Sequence, residues 1–397
     1  MLRKGRALNL LPKKWANIDD PHELRILLDK HIGGPGQYDG RSKNPDKFYL
    51  PLAGSACRIA LTFQGKRIVA IDRGVSFDLA DWRRVRQQID KSLFDVSLKV
   101  GRDYSFSSFR VSGSWRGRRS GVQILPPPDE APSAPYEMAE HPFILEFPVK
   151  ASDLWPLTNY RRMREHRNLT FLLNVLLAGH MSFQPRRSQH IWAVIHPLTG
   201  TDPEIRWVQQ FYFGPLGEVV IDEPSPVSSE LIEEIEPNEY FVKIGHDGKG
   251  LRVPTDLDDL ICRYQQLSGA NRSKFNRAMF WMYQSIRVWT LSMSASFAAV
   301  VSAVEALTDR QLIPAATQRF HDFFETYAPG GSLKKRRKKM YDLRSNIFHG
   351  SDLMEFDQDL SFSRDPRGWD ERELDEELRS LTRLAIRNWL VNPPGQP

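Results

Sequence analysis

The segment Tyr341-Asp-Leu-Arg-Ser-Asn-Ile-Phe-His-Gly350 lies at the end of a predicted helix and decides the fold class of the last third of the chain. Gly350 stands in the position that commonly follows the last helical residue. The helix carries one apolar stripe at helical spacing, and such a stripe is typical of a helix that packs against others. The stripe consists of Leu333, Met340, Leu343 and Ile347. The pattern therefore predicts that this segment belongs to a helical bundle.

Helical spacing continues through residues 254–397, whereas the earlier part of the chain has mixed patterns. Beyond residue 254 we predict six helices with apolar faces, the last from Asp370 to Leu390. Helical spacing also occurs after Pro21 and from Leu157 to Ala178. Alternating or short apolar runs predict strands in the following segments: Ala56–Phe63, Arg67–Ile71, Phe94–Val100, Phe106–Val111, Val122–Leu125, Phe143–Val149, Ile191–Ile195, Ile205–Phe213 and Tyr240–Ile244.

These patterns predict an α+β multidomain protein, in which a mixed β-rich N-terminal region precedes a C-terminal all-α helical bundle. Residues 126–135 are a predicted linker, because they are rich in proline and lack large apolar side chains. The linker would separate a β-rich domain (residues 1–125) from a mixed α/β domain (residues 136–253), unless the two are continuous. The predicted helical domain comprises residues 254–397.

The composition is that of an ordinary globular protein. Of the 397 residues, 41% are hydrophobic and 26% charged, and the net charge of +6 permits a polyanionic partner without requiring one. The N-terminus has no apolar signal-peptide core, and Val288–Val304 only reaches the lower length limit of a membrane span. We therefore expect a cytoplasmic protein without membrane contact, with Cys57 and Cys262 as buried free thiols. No spacing of residues indicates a metal site or a cofactor.

Arg344 and His349 have side chains suited to acid–base and electrostatic catalysis. A histidine can transfer protons near neutral pH, and a guanidinium group can stabilise a developing negative charge. The two residues are about 140° apart on an ideal helix, so they need not meet within one chain. They could instead line a cleft shared across a two-fold dimer. The structural alternatives are a helix C-terminal cap for His349 and an ion pair for Arg344.

Two segments, Arg277–Leu307 and Met340–Gly350, resemble the Apea-like branch of the HEPN superfamily, whose signature is Arg-x4-His. The resemblance covers the last third of the chain and implies a dimeric helical bundle with metal-independent ribonuclease activity. It also implies that Arg344 and His349 are the catalytic pair and that Glu305 matches an acidic residue found in many relatives.

The chain departs from the superfamily pattern in two places. The position after the arginine, often Asn, Asp or His in the superfamily, is Ser345, and Asn346 follows it. Both residues are candidate supporting residues of the site. Ser351 stands where the antitoxin-partnered branch carries a tyrosine, so the resemblance does not extend to that branch.

Six consecutive cations precede the motif: Lys334, Lys335, Arg336, Arg337, Lys338 and Lys339. A run of this kind is usually a solvated helix face. In the first turn of a helix, however, each cation is unfavourable by about 0.3–1 kcal/mol, and cations four residues apart repel each other. Because this conflict lies beside the candidate catalytic residues, we predict that the six cations contact an RNA backbone.

The leading hypothesis is a metal-independent endoribonuclease that uses the ribose 2′-OH as its nucleophile and therefore does not cleave DNA. The resemblance to Apea-like proteins further implies a bacterial anti-phage defence effector, whose N-terminal region senses an unknown activating ligand or protein. The alternative is a non-catalytic HEPN module that serves as a dimerisation or RNA-binding scaffold. Both hypotheses predict RNA and a second copy of the chain as partners.

Overall fold

A computed structural model shows a mixed α+β architecture, as predicted. The chain divides into unit 1, formed by Met1–Lys99 and Pro148–Arg164, and unit 2, formed by Val100–Phe147 and Glu165–Pro397. The structure describes residues 10–18, 20–31, 37–38, 47–54, 57–65, 67–74, 76–127, 141–177, 179–183, 189–195, 204–210, 218–243, 250–308, 316–330, 334–358 and 366–395.

Unit 1 combines helices with a four-stranded antiparallel sheet in the order β1–β2–β3–β4. Its elements are α1 (Lys13–Ala16), α2 (Pro21–Lys30), β1 (Gln37–Tyr38), β2 (Lys47–Pro51), β3 (Arg58–Gln64), β4 (Arg67–Arg73) and α3 (Leu79–Phe94). The predicted hairpin is confirmed, because β3 and β4 pair directly and Gly65 between them adopts a φ of 59°. A positive φ of this kind is readily adopted by glycine.

Helix α2 begins as its sequence predicts. The Asp20 side chain accepts a hydrogen bond from the backbone N–H of His22, and Pro21 occupies the first turn. Its leucines are buried in the core of unit 1: Leu24, Leu27 and Leu28. The turn at Gly33–Gly36 lies outside the described residues.

Helix α3 was not predicted, and the strand assigned to Phe94–Val100 was partly wrong. Phe94 is the last residue of α3, and the strand that follows begins only at Ser97. The Asp78 side chain caps the helix by accepting a hydrogen bond from the N–H of Ala80. The buried residues of α3 are three or four positions apart: Trp82, Val85, Ile89 and Leu93. The helical signal was therefore present in the sequence among many charged side chains.

Unit 2 contains most of a six-stranded sheet in the order β12–β5–β8–β7–β6, with β9 also paired to β5. These strands are β5 (Ser97–Ser107), β6 (Trp115–Arg116), β7 (Gln123–Leu125), β8 (His141–Ala151), β9 (Met181–Phe183) and β12 (Val220–Ile221). Two smaller pairs accompany the sheet, one antiparallel and one parallel. They are β10 (Gln189–Ile195) with β11 (Glu204–Gln210), and β13 (Glu234–Ile235) with β14 (Val253–Pro254).

The two units divide the chain at different positions from the predicted domains, whose boundaries were set near residues 125 and 253. Strands β5, β7 and β8 pair within one sheet, so segments on both sides of the predicted linker belong to unit 2. Of the linker itself, only residues 126 and 127 are described. Pairing between strands distant in sequence is a tertiary property that local composition does not report.

The helices of the second half are α4 (Trp155–Leu176), α5 (Pro237–Lys243), α6 (Leu257–Gln266), α7 (Gly269–Val288), α8 (Met293–Leu307), α9 (Ala316–Tyr327), α10 (Lys334–His349), α11 (Glu355–Gln358) and α12 (Pro366–Val391). The predicted C-terminal helical region is thus confirmed. Helix α8, which is rich in alanine and serine, contacts α7, α9, α10 and α12. Within the described residues, none of the helices combines the length and apolarity that a membrane crossing requires.

The strand predicted at Tyr240–Ile244 was wrong, because Pro237–Lys243 forms helix α5. The backbone N–H groups of Glu239 and Tyr240 both donate to the carbonyl of Glu236, which begins a helical turn. Periodicity does not separate strand from helix in so short an apolar run.

The prediction of buried free thiols at Cys57 and Cys262 is confirmed.

Candidate functional site

Arg344 is held by an acidic residue from another helix. Its Nη2 donates to Oε2 of Glu305 on α8 at 2.7 Å, and the Tyr341 hydroxyl donates to the other carboxylate oxygen at 3.3 Å. Burial and the charge of Glu305 raise the pKa of Tyr341, so its hydroxyl stays protonated and remains a donor. The guanidinium also lies 4.3 Å from the ring centroid of Phe348. Arg344 is therefore positioned by contacts on α8 and α10 together.

A cavity of about 450 Å³ opens beside this ion pair in unit 2. Helices α8, α9 and α10 supply most of its lining, which includes a second arginine, Arg319, and Thr308, the residue that follows α8. The Nε of Arg344 is buried and has no hydrogen-bond acceptor among the described residues. The cavity thus brings together two guanidinium groups, one carboxylate and two hydroxyl groups.

His349 is the last residue of α10 and is exposed. The N–H of Gly350 donates to the carbonyl of Ile347, and the N–H of Ser351 donates to that of Asn346. With a φ of 68° at Gly350, these bonds form the Schellman motif that ends many helices. No hydrogen bond or ion pair joins His349 to any described residue, including Arg344. Of the two supporting candidates, Ser345 is half-buried and Asn346 is exposed.

The basic run does not form one solvated face. Arg337 is completely buried: it pairs with Glu325 at 2.7 Å and donates to the carbonyls of Ala328 and Gly330, each at 3.2 Å. These carbonyls follow α9, so Arg337 caps the C-terminal end of that helix. The prediction that Arg337 contacts RNA is therefore wrong in this structure, because its donors face the protein interior.

Two further cations of the run pair with acids of α12. Arg336 contacts Glu377 and Asp370, and Lys339 also contacts Asp370. These tertiary pairs offset the unfavourable charge at the start of α10, which had been the reason for predicting an RNA contact. The exposed cations without an ion pair among the described residues are Lys334, Lys335 and Lys338.

A Ser–His–Asp arrangement in unit 2 was not predicted from the sequence. His166 Nε2 lies 2.7 Å from Oγ of Ser105, and Nδ1 lies 3.4 Å from a carboxylate oxygen of Asp103. Ser105 is 0% exposed, and the ring of Phe147 stacks on His166. Because a nucleophile must be accessible to its substrate and Ser105 is fully buried, we interpret the arrangement of Ser105, His166 and Asp103 as structural. Burial lowers the pKa of His166, with Asp103 opposing the shift.

His180 makes the stability of unit 2 dependent on pH. Its Nδ1 is 2.9 Å from Oδ1 of the buried Asn174. Burial, with the charges of Arg383 and Arg287, lowers the pKa of His180 from 6.5 to about 4. At a pH between these two pKa values, His180 binds a proton in the unfolded chain but not in the folded chain. The free energy of unfolding therefore falls as the pH falls.

Lowering the pH from 7 to 5 is therefore expected to cost about 2 kcal/mol of unfolding free energy through His180 alone. Urea titrations at both pH values measure the loss, and His180→Asn is the control because it removes the titrating group. The variant should lose less stability than the unmodified protein over the same interval. Equal losses in both proteins would contradict the assignment.

Within the described residues, no group of three His, Cys, Asp or Glu side chains is arranged to hold a metal ion. The chain matches none of the protein-family profiles, curated proteins or solved structures with which it was compared.

Proposed function

We propose that this protein is a metal-independent endoribonuclease of HEPN type that acts as a homodimer. The observation that carries the proposal is the placement of the Arg-x4-His pair on α10: Glu305 orients Arg344, and His349 is exposed at the end of the helix. Through the resemblance to Apea-like proteins, the proposal extends to anti-phage defence, with the N-terminal region sensing the activating ligand or protein.

A second copy of the chain would complete the catalytic site. Arg344 and His349 are not joined by a hydrogen bond within one chain, and exposed apolar side chains occur in the last turn of α10 and in the residues that follow it. The exposed fractions are 56% for Phe348, 43% for Leu353 and 50% for Phe356. Apolar side chains exposed together favour contact with another protein surface. A dimer formed there would place two copies of His349 near one cleft.

The proposed reaction needs only proton transfer and charge stabilisation. One His349 accepts the proton of the ribose 2′-OH, and O2′ attacks the phosphorus. The P–O5′ bond breaks, and the departing O5′ takes a proton from a second, protonated histidine, which leaves a 2′,3′-cyclic phosphate. Arg344 stabilises the phosphorane oxygens. No metal ion takes part in these steps.

The test is incubation of the full chain with single-stranded RNA, with and without chelator. Cleavage that persists with chelator should fall at least about 100-fold in His349→Ala and in Arg344→Ala. Asp342→Ala, an exposed position on the same helix, is the matched control and should retain activity. DNA should remain intact, because it lacks the 2′-OH. Equal cleavage by all four proteins would reject the proposal.

A non-catalytic dimerisation or RNA-binding scaffold is the second candidate. It is favoured by the ion pair between Arg344 and Glu305, because that pair already balances the arginine charge. It is also favoured by the lack of a described residue that orients His349. Under this reading, RNA binds but is recovered uncleaved from every variant.

Under both candidate functions, the ribonuclease and the scaffold, we expect RNA to contact Lys334, Lys335 and Lys338. Replacing all three by alanine should reduce the slope of log affinity against log salt concentration by about 2, since each lost phosphate contact removes about 0.7 for a single strand. The triple replacement by arginine keeps the charges and should keep the slope. Fluorescence anisotropy at several salt concentrations measures both. An unchanged slope in the alanine variant would exclude this surface.

A further inference from the structure

Positive charge is concentrated in unit 1. This unit contains 23 Lys or Arg residues and 12 Asp or Glu residues, which gives a formal net charge of +11. Unit 2 contains 32 Lys or Arg residues and 37 Asp or Glu residues, a net charge of −5. A chain with one basic and one acidic part is typical of proteins whose basic part binds a polyanion. Unit 1 is therefore the part of the chain in which a second binding surface is to be sought.

Helix α3 presents a cationic face to solvent. Its buried side packs in the core of unit 1, and the opposite side consists of exposed Arg, Lys and Gln side chains. These exposed residues are Arg83, Arg84, Arg86, Gln87, Gln88 and Lys91. At about 100° per residue, Arg83, Arg84 and Lys91 all lie within about 60° of Gln87 around the helix axis. The three cations therefore form one stripe.

The ion pairs on this stripe are exposed and leave a positive excess. Arg84 pairs with Asp81 at 2.9 Å, and Lys91 pairs with Asp153 at 3.3 Å. The side chains of Arg84 and Lys91 remain 61% and 62% exposed. Exposed pairs of this kind are weak, so each cation can exchange its carboxylate partner for a phosphate. Arg83 has no ion pair among the residues that the structure describes.

Cations of the neighbouring helices extend the stripe. Lys14 of α1 lies 2.9 Å from Asp90 of α3. At the end of α2, burial together with the charges of Lys30 and Arg84 lowers the pKa of His31, so both cations lie near this imidazole. The resulting surface, the basic face of unit 1, comprises Lys14, Lys30, Arg83, Arg84, Arg86 and Lys91.

The shape of the basic face favours a DNA duplex. Arg83 and Lys91 are eight residues apart, so the cations of α3 extend over about 12 Å of the helix axis. The major groove of B-form DNA is also about 12 Å wide and admits an α-helix, whereas that of an RNA duplex is too narrow for side chains to read. Proteins that bind single strands stack bases on aromatic side chains, and none is exposed between Arg83 and Lys91, a fully described stretch.

We infer that the basic face of unit 1 binds the phosphate backbones of a DNA duplex, with α3 in the major groove. Gln87 lies at the centre of the face, where its amide group can reach base edges. An anionic membrane fits less well, because the apolar side of α3 is buried in the core of unit 1. The inference does not rest on the proposed ribonuclease activity, since DNA lacks the 2′-OH that this reaction requires.

Fluorescence anisotropy of the full chain with a short labelled DNA duplex, measured at several salt concentrations, tests the inference. Saturable binding is expected, with an affinity that falls as the salt concentration rises. A single strand of the same sequence and the corresponding RNA duplex should each bind at least about tenfold more weakly. Absence of saturable binding, or equal affinity for all three nucleic acids, would overturn the inference.

One triple variant removes the charge of the stripe and keeps residues that favour a helix. Combined Arg83→Gln, Arg84→Gln and Lys91→Gln should reduce the slope of log affinity against log salt concentration by about 2.7, since each lost phosphate contact removes about 0.9 for B-form DNA. The combination of Arg83→Lys, Arg84→Lys and Lys91→Arg keeps the charges and should keep the slope. Circular dichroism establishes that each variant is folded. An unchanged slope in the glutamine variant would exclude this face.

A triple variant of unit 2 is the matched control. It replaces three exposed arginines by glutamine, at Arg116, Arg118 and Arg277, and should keep the slope of the unmodified protein. An equal reduction in both glutamine variants would mean that net charge alone governs binding and would overturn the inference. Binding to anionic lipid vesicles that depends on the stripe would assign the face to a membrane, with the same consequence. His349→Ala should bind the duplex normally, so this inference and the ribonuclease proposal fail independently.

Discussion

Replacement of Arg337 by alanine is expected to lower the unfolding free energy of unit 2 by about 2–4 kcal/mol. Arg337 is the partner of two carbonyls, those of Ala328 and Gly330, at the end of α9. Each buried polar group left without a partner costs about 1–3 kcal/mol, and loss of the long side chain adds a packing defect. Glu325 contributes less, because its side chain is 45% exposed and water can solvate it.

Urea denaturation measures the effect of Arg337→Ala. The control is Lys338→Ala one residue further along α10, which removes an exposed cation and should change stability by less than about 0.5 kcal/mol. If the two variants were equally stable, Arg337 would not be the cap of α9. The expected difference also means that RNA-binding experiments on the basic run should leave Arg337 intact.

Replacement of Glu23 by alanine is expected to destabilise unit 1 by about 3–5 kcal/mol. One oxygen of Glu23 accepts from Nε and Nη2 of Arg161 at 2.9 and 2.6 Å, and the other accepts from Arg164 at 2.8 Å. The side chain of Arg161 is only 6% exposed. Removal of the carboxylate would therefore leave a buried charge without its counter-ion. Arg164 would keep its ion pair with Asp20.

Thermal and urea unfolding of two further variants distinguishes the loss of the buried ion pair from a general destabilisation of unit 1. Asp81→Ala breaks the exposed pair of Asp81 with Arg84 in the same unit and should cost less than about 1 kcal/mol. The double variant Glu23→Leu with Arg161→Met replaces the pair by apolar groups and should recover much of the lost stability. No recovery in the double variant would mean that the ion pair itself is the main source of stability.

Several elements could be predicted because their signals are local. Helix α2 carries its cap, its proline and its leucine stripe within a few residues, and α10 ends at Gly350 as predicted. The hairpin at Gly65 likewise depends on neighbouring residues. In contrast, α5 was predicted as a strand because a short apolar run has no distinct period. The division into units depends on pairing between β5, β7 and β8, which no local pattern reports.

For the candidate site, the sequence by itself determined that Arg344 and His349 share one helix, about 140° apart, and that this helix ends at a glycine. It did not determine the partner of Arg344, since Glu305 lies on another helix and reaches it only when α8 and α10 pack together. The sequence also did not indicate which of the six consecutive cations would be buried, which would form ion pairs and which would remain unpaired. Residues that follow one another on a helix point in different directions. Tertiary packing therefore buried Arg337, paired Arg336 and Lys339 with acids of α12, and left three exposed lysines without an ion pair among the described residues.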